Sequence, residues 1–475
     1  MNWRFKLVLK ITNGKTEMNK KILSYDDVKN IRFGSSDEPL VKANTYDERI
    51  VCEYKKFDMF AWTGFDILVR DSVARKLADA NDEIQKYGFN LKVVYGYRSI
   101  DVQQRYFDRQ YNKLRCQNPT MSDEGLLRLT HNYVARPDTA GHTLGAAVDV
   151  TLVRGEKECD MGTEIADYIN PKAIQTFARV SKERARSRKI LLNAMMNAGF
   201  APFLGEWWHF SYGDKEWAAY FDLKQAIYAP VTAPQKTQLY LIAGGNKTAL
   251  QIIDKWKGGM FNQMACDSLI KTFSDIDQAG IYYEDTNKLE MAGGEFCGNA
   301  TTAAAVLQAA NSFTQKFHVS GLDGAVTTRV TEVAANRLIV AVKYSTMTYC
   351  RYRKTLLDAT VDIVDFGGIT HVLMNGSLPK EFLLEAQKIR TEVGLMNSDA
   401  VGVIWYKRKG DRTSIDPIVW VRKIDTHFYE SSCGSGAIAA AIVSGISEIA
   451  QPTGESIRVD ISDDGVQTVT EVERL

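Results

Sequence analysis

Hydrophobic positions along this chain fall into two rhythms. Between Asp66 and Tyr87 the apolar residues Val69, Val73, Leu77, Ala80 and Ile84 recur every three or four positions, which predicts a helix. Leu91–Tyr95 then reads as a strand, Ile100–Leu114 as a second helix, Ala147–Val153 as a strand, Arg188–Ala198 as a helix closed by Gly199, and Glu206–Tyr212 as a strand. The stretch Ala229–Gln235 holds two prolines and few large apolar residues, the texture of a linker. Beyond it strands predominate, broken by two glycine-containing turns that lead into alanine-rich helices, Thr302–Ala310 and Ala437–Val443. Residues 1–45 are polar and irregular and read as an extension. The pattern predicts an α+β chain with one domain over 46–224, a linker over 225–237 and a second domain over 238–475.

Composition narrows the function classes. At 475 residues each half is long enough for its own core, and 45% hydrophobic with 25% charged residues is ordinary for a globular protein. A net charge of +1 gives no reason to expect nucleic acid or an anionic membrane as partner. Met1–Thr12 is too interrupted by Arg4, Lys6 and Lys10 for a signal peptide, and no apolar run is long enough to span a bilayer. Seven scattered cysteines, an odd number, indicate free thiols and a cytoplasmic location. The basic run Lys182–Lys189 leads into a helix and reads as a solvated face.

Only six histidines occur, yet two fall into one pattern: Gly141-His142-Thr143-Leu144-Gly145-Ala146-Ala147-Val148-Asp149, answered by Glu206-Trp207-Trp208-His209. His142, Asp149 and His209 supply two imidazoles and a carboxylate for one Zn²⁺, preferred on ligand type. Glu206 is left as general base, taking a proton from water and passing it to the leaving amine. Arg98, at a strand end in Tyr95-Gly96-Tyr97-Arg98-Ser99, is placed to polarise a carbonyl or stabilise an oxyanion.

Tyr97-Arg98-Ser99, the His142/Asp149 pair, Asp160-Met161-Gly162 and Glu206-Trp207-Trp208-His209 together resemble the zinc D-alanyl-D-alanine dipeptidases of vancomycin resistance, over about residues 50–221. The resemblance implies a zinc D,D-peptidase-like α+β domain acting on small D,D-dipeptides, with the roles given above. Two positions depart from it. Ala140 stands where that family has a serine, and the acidic residue that holds the substrate ammonium is matched only with a one-residue shift, by Asp167.

In the second half, Glu295-Phe296-Cys297-Gly298-Asn299-Ala300-Thr301 and Glu430-Ser431-Ser432-Cys433-Gly434-Ser435-Gly436 each open an alanine-rich helix. Each cysteine would sit at a helix N-terminus, where free N–H groups and the dipole stabilise a thiolate and bind a substrate carboxylate. Two such units suggest a duplicated fold. One thiolate and one thiol on opposite faces of an α-carbon make a racemase that needs no cofactor.

These motifs resemble the diaminopimelate epimerase superfamily over about residues 238–470, and within it the histidine racemases of metallophore synthesis. The resemblance implies two pseudo-symmetric halves whose central helices are wrapped by β-sheet. It assigns Cys297 and Cys433 to catalysis and Asn246 (in Gly244-Gly245-Asn246), Gln278, Gly298, Asn299, Gly434 and Ser435 to substrate binding, and it permits a homodimer. Ile424 and Asp425 replace the Glu-Arg pair that grips diaminopimelate, Gly367-Gly368-Ile369-Thr370-His371 replaces a Gly-Asn-Pro-His turn, and the chain is expected to stop short of the fold's last strand. Asp277 stands near a candidate cysteine, to orient a substrate amine or to cap a turn.

The leading expectation is a bifunctional enzyme: zinc-dependent hydrolysis of small dipeptides containing a D-residue, and cofactor-independent racemisation of an amino acid. The alternative is an amino-acid racemase, histidine being one candidate substrate, with a non-catalytic dipeptidase-like binding module. A sensor with two decayed sites is the non-enzyme reading.

Overall fold

The computed structural model describes residues 11–12, 15–16, 21–170, 172–233, 235–309, 314–334, 336–356 and 359–475. The chain divides into two compact units, 1–234 and 235–475. Its helices and strands make an α+β protein, and among the described residues no helix is long and apolar enough to cross a membrane.

In the first unit the labelled elements are β1 (Leu40–Lys42), β2 (Leu68–Arg70), α1 (Asp71–Gln85), β3 (Asn90–Tyr95), α2 (Ile100–Gln117), α3 (Asp123–His131), β4 (Ala147–Arg154), α4 (Lys182–Asn197), β5 (His209–Ser211) and α5 (Lys215–Tyr220). A central sheet runs in the order Val51–Cys52, β3, β4, β5, Ala201–Pro202. α1 lays Val73, Leu77, Ala80 and Ile84 into the core, as the periodicity predicts. It starts five residues later than expected, because Leu68–Arg70 is drawn into an antiparallel pair with β1. Tertiary pairing there overrides the local helical pattern.

The N-terminal segment differs from the expected extension. A short helix, Tyr25–Val28, buries Val28, and Arg32 and Ser36 bridge to Gln225 and Tyr228. The expected linker is therefore held down over its first part, and the N–H of Ala233 donates to the Tyr97 hydroxyl at 3.1 Å. The basic run lies in α4 with Lys182, Arg186 and Lys189 exposed, as a solvated face requires, and Arg188 is the exception. Arg188 is 4% exposed and donates to the carbonyls of Met161, Gln175 and Ala173, so it pins a loop instead of meeting water.

In the second unit the labelled elements are β6 (Gln238–Ile242), β7 (Asn246–Ile253), α6 (Gly259–Thr272), β8 (Gln278–Tyr283), β9 (Lys288–Met291), α7 (Gly298–Gln308), β10 (Arg337–Tyr344), β11 (Thr370–Asn375), α8 (Phe382–Glu392), β12 (Ala400–Lys409), β13 (Arg412–Val421), α9 (Gly434–Ser444) and β14 (Gly465–Arg474). The duplication is visible in topology. β7–α6–β8–β9 precedes Cys297 and α7; β11–α8–β12–β13 precedes Cys433 and α9. In both, the first two strands pair parallel and the third returns antiparallel. Among the described residues all strands of this unit join one 16-stranded sheet, and β14 pairs with both β10 and β6, so the first half closes around α7. β14 lies between β6 and β10.

α7 and α9 are buried on nearly every face, with Ala303, Ala304, Ala305, Ala437, Ala439, Ala440 and Ile438 inside one core. Alanine's small side chain lets a sheet wrap a helix closely, and a helix apolar all round has to be interior. The expected end of the first of these helices, Ala310, lies outside the described residues.

Candidate functional site

The first site is built on the register of two strands. Asp149 in β4 lies directly opposite His209 in β5, so both side chains leave the sheet on the same face. His209 Nδ1 is 3.0 Å from Asp149 Oδ1. His142 comes from a 3₁₀ turn, Gly141–Leu144, ahead of β4. Its Nδ1 sits 2.7 Å from the Gly96 carbonyl, which can only accept, so Nδ1 carries the proton and Nε2 turns toward Asp149 Oδ1 at 3.5 Å. The three ligand atoms lie within 4.8 Å of one another and all three residues are buried. This donor set and spacing fit a divalent ion of the zinc class.

Electrostatics agree with that fit at Asp149 and His142, while at His209 burial is outweighed by Asp149 and Glu216, which together hold it above the usual imidazole range. Burial pushes the Asp149 carboxyl up, but His142 and His209 outweigh it and hold it well below the usual carboxylate range. Burial lowers His142, which favours the neutral imidazole a metal requires. Glu206 lies in the turn before β5, held by Trp207, whose Nε1 donates to Thr163, and by the fully buried Trp208. Burial pushes Glu206 up to about 7, against the pull of His209, which suits a general base near neutrality. Arg98 lines the same cavity of about 360 Å³ and donates to Gln103 Oε1 at 2.8 Å.

Three features of this site differ from or add to the sequence reading. Asp167 does not reach the cavity: its Oδ1 accepts from the N–H of Ile169, closing its own turn, and the neighbours Ala166 and Tyr168 line the wall. Tyr168 donates to Glu206 Oε1 at 2.9 Å. Glu216, in the first turn of α5, puts Oε2 3.4 Å from His209 Nε2. Tyr168 carries no sequence signal; Glu216, seven residues past His209 and two past the capping Asp214, carries only a faint one.

The second site gathers both cysteines in one cavity of about 440 Å³ with Gln278, Gly298, Asn299, Gly434 and Ser435. Cys297 Sγ donates to Gln278 Oε1 at 3.0 Å and accepts from the N–H of Ala300 at 3.4 Å, so it caps α7. Cys433 Sγ accepts from the N–H of Gly436 at 3.4 Å and caps α9 in the same way. The helix starts abut through glycine: a Cβ on Gly434 would lie 2.9 Å from Gly298 C and 3.0 Å from Asn299 N. Asn299 Nδ2 ties the halves by donating to the Ser432 carbonyl at 2.8 Å.

Asn246 lies behind the cavity wall, accepting from Gln278 Nε2 at 3.0 Å. Asp277 accepts from the N–H of Lys247 and also lines the cavity, so the turn-capping reading and the substrate-facing one coexist. Sequence reasoning gave no role to Glu295 and Glu430, which line the cavity, or to His371, whose Nε2 is 3.0 Å from Ser435 Oγ. Burial pushes both thiols above the usual cysteine range and Glu430 adds to it, so burial outweighs the helix N-termini that favour thiolate.

Comparison with known proteins agrees with this division. Residues 56–227 match the family model described as D-ala-D-ala dipeptidase, and residues 276–472 match that described as histidine racemase CntK N-terminal domain. A D-alanyl-D-alanine dipeptidase of Synechocystis sp. is 29% identical over 154 residues, covering 27% of this chain and 62% of the relative. A histidine racemase of Fusobacterium nucleatum is 30% identical over 173 residues, covering 34% of this chain and 64% of the relative. The chain thus spans a little under two thirds of the length of each. Among solved structures, a PhzF-family phenazine biosynthesis protein of Enterococcus faecalis is 12% identical, covering 50% of this chain and 97% of that one with a TM-score of 0.32. Each unit therefore matches the model of an enzyme family. The N-terminal unit is similar to D-Ala-D-Ala dipeptidases and the C-terminal unit to histidine racemases.

Proposed function

We propose that this chain is a bifunctional enzyme that hydrolyses small dipeptides containing a D-residue with zinc, and racemises a free amino acid, histidine first among candidates, with two cysteines and no cofactor. The observation that carries the reading is the paired set of sites: a buried His142/Asp149/His209 triad beside Glu206 in one unit, and two helix-capping cysteines facing one cavity in the other.

In the first site His142, Asp149 and His209 would hold the ion, which supplies Lewis-acid activation of water and of the scissile carbonyl. Glu206 takes the proton from the attacking water and hands it to the leaving amine. Arg98 faces the developing oxyanion, and Tyr168 holds the Glu206 carboxylate in place.

In the second site the N–H groups at the starts of α7 and α9 grip the substrate carboxylate. One cysteine, as thiolate, removes the α-proton; the other, as thiol, delivers a proton to the opposite face. The thiol and thiolate exchange roles at each turnover, so the reverse reaction starts from the state the forward one leaves. The incoming ammonium offsets the burial that keeps both sulfurs protonated.

Ala140, and Asp167 with its side chain engaged in its own turn rather than the cavity, favour a second reading, a racemase with a binding module. Glu206→Gln separates them. It is expected to lower hydrolysis of a D,D-dipeptide by at least about a hundredfold while leaving racemisation intact, whereas a wild-type chain that binds dipeptide and never cleaves it would establish the module.

A further inference from the structure

The dipeptidase-like cavity is lined on one side by cations that its chemistry does not use. Tyr106, Arg109, Gln110 and Lys113 follow one another at positions i, i+3, i+4 and i+7 of α2 and so form one helix face, and all four line the cavity. Lys56 joins them from the preceding segment. Tyr106 organises the group: the Arg98 and Arg109 guanidiniums lie 5.1 and 5.2 Å from its ring centre, and the Lys56 ammonium 5.6 Å. Among the described residues none of Lys56, Arg109 and Lys113 forms an ion pair with a carboxylate.

The acids of the cavity are already engaged. Asp149 stands between the two histidines, Glu206 accepts from Tyr168, and Glu216 faces His209. Among the described residues no further carboxylate lines the wall, and Asp167 has turned into its own loop. A dipeptide with a free ammonium therefore meets three cations and no free anion.

We infer that this cavity is built for a peptide carrying a negative charge beyond its terminal carboxylate, namely one with an acidic side chain, recognised by Lys56, Arg109 and Lys113. The inference rests on the peptidase reading of the site and names its substrate class. Exposed ion pairs are individually weak, so a preference of roughly tenfold from three cations is the expected scale. It should fade as salt shortens the screening length to a few ångströms.

The test is calorimetry on the zinc-loaded full chain carrying Glu206→Gln, so that peptide is not consumed. The probes are D-Ala-D-Glu against D-Ala-D-Gln and D-Glu-D-Ala against D-Gln-D-Ala. The expected result is tighter binding of the acidic member of at least one pair, by about tenfold at low ionic strength. The preference should be lost in high salt and in the Lys56→Gln/Arg109→Gln/Lys113→Gln variant, whose three positions are exposed. Equal binding within both pairs, preference for the amide, or no binding of any of the four would overturn it. Hydrolysis by the wild-type chain is followed in parallel. Cleavage of D-Ala-D-Ala without charge preference leaves the peptidase reading standing and removes this inference; charge-selective binding without cleavage does the reverse.

Discussion

At the residue scale, the informative contacts are those made by the far side of a functional group. His209 directs Nδ1 at Asp149 and Nε2 at Glu216, so the carboxylate fixes which ring nitrogen faces the ligand cluster. Glu216→Gln is expected to weaken zinc binding by about 10- to 100-fold, read by chelator competition, with folding retained. Unchanged affinity would make Glu216 a packing residue only. Glu430 offers a second test in the other unit. Burial pushes its carboxyl from 4.5 to about 7, with Asp277 and Glu295 adding to the rise and a hydrogen bond with Cys433 opposing it. A carboxyl raised in the folded state binds its proton more tightly folded than unfolded. Its contribution is then present in full below pH 4.5 and lost as pH rises through about 7. The racemase unit of wild type should therefore melt at a lower temperature at pH 8 than at pH 5. Glu430→Gln should flatten that difference, and a variant as pH-sensitive as wild type would contradict the assignment.

At the element scale, what was legible in the sequence is what local pattern controls. The spacing of Val73, Leu77, Ala80 and Ile84 showed the body of α1 though not its start, and two Cys-Gly turns before alanine runs placed α7 and α9. Strand entry at Leu68–Arg70 and the docking of residues 21–45 depend on partners far along the chain, and periodicity cannot show those. The same limit hid Tyr168, presented by an irregular loop, and Asp167, whose side chain serves its own turn. The abutting helix starts give this scale its prediction. Gly434→Ala puts a methyl within 3.0 Å of the α7 backbone, which must move α7 and α9 apart. Racemisation is expected to fall by at least about tenfold, with secondary structure by circular dichroism retained; wild-type rates would mean the helix starts are not required to touch.

At the scale of the whole molecule, the two proposed chemistries are assigned to two units of different architecture. One is a short sheet whose strand register assembles a metal triad; the other is a duplicated unit whose two helix starts bring a pair of thiols together. If each unit carries its own proposed activity, removing zinc with a chelator should abolish hydrolysis and leave racemisation unchanged, and loss of both together would contradict two separate sites.

The most direct test of the two-enzyme account is proton NMR of the purified chain in D₂O with L-histidine, scoring exchange of the α-proton. The account predicts exchange accompanied by formation of D-histidine, abolished by Cys297→Ser and by Cys433→Ser. No exchange with histidine or with any other standard amino acid would contradict the racemase assignment and leave hydrolysis as the only chemistry proposed here.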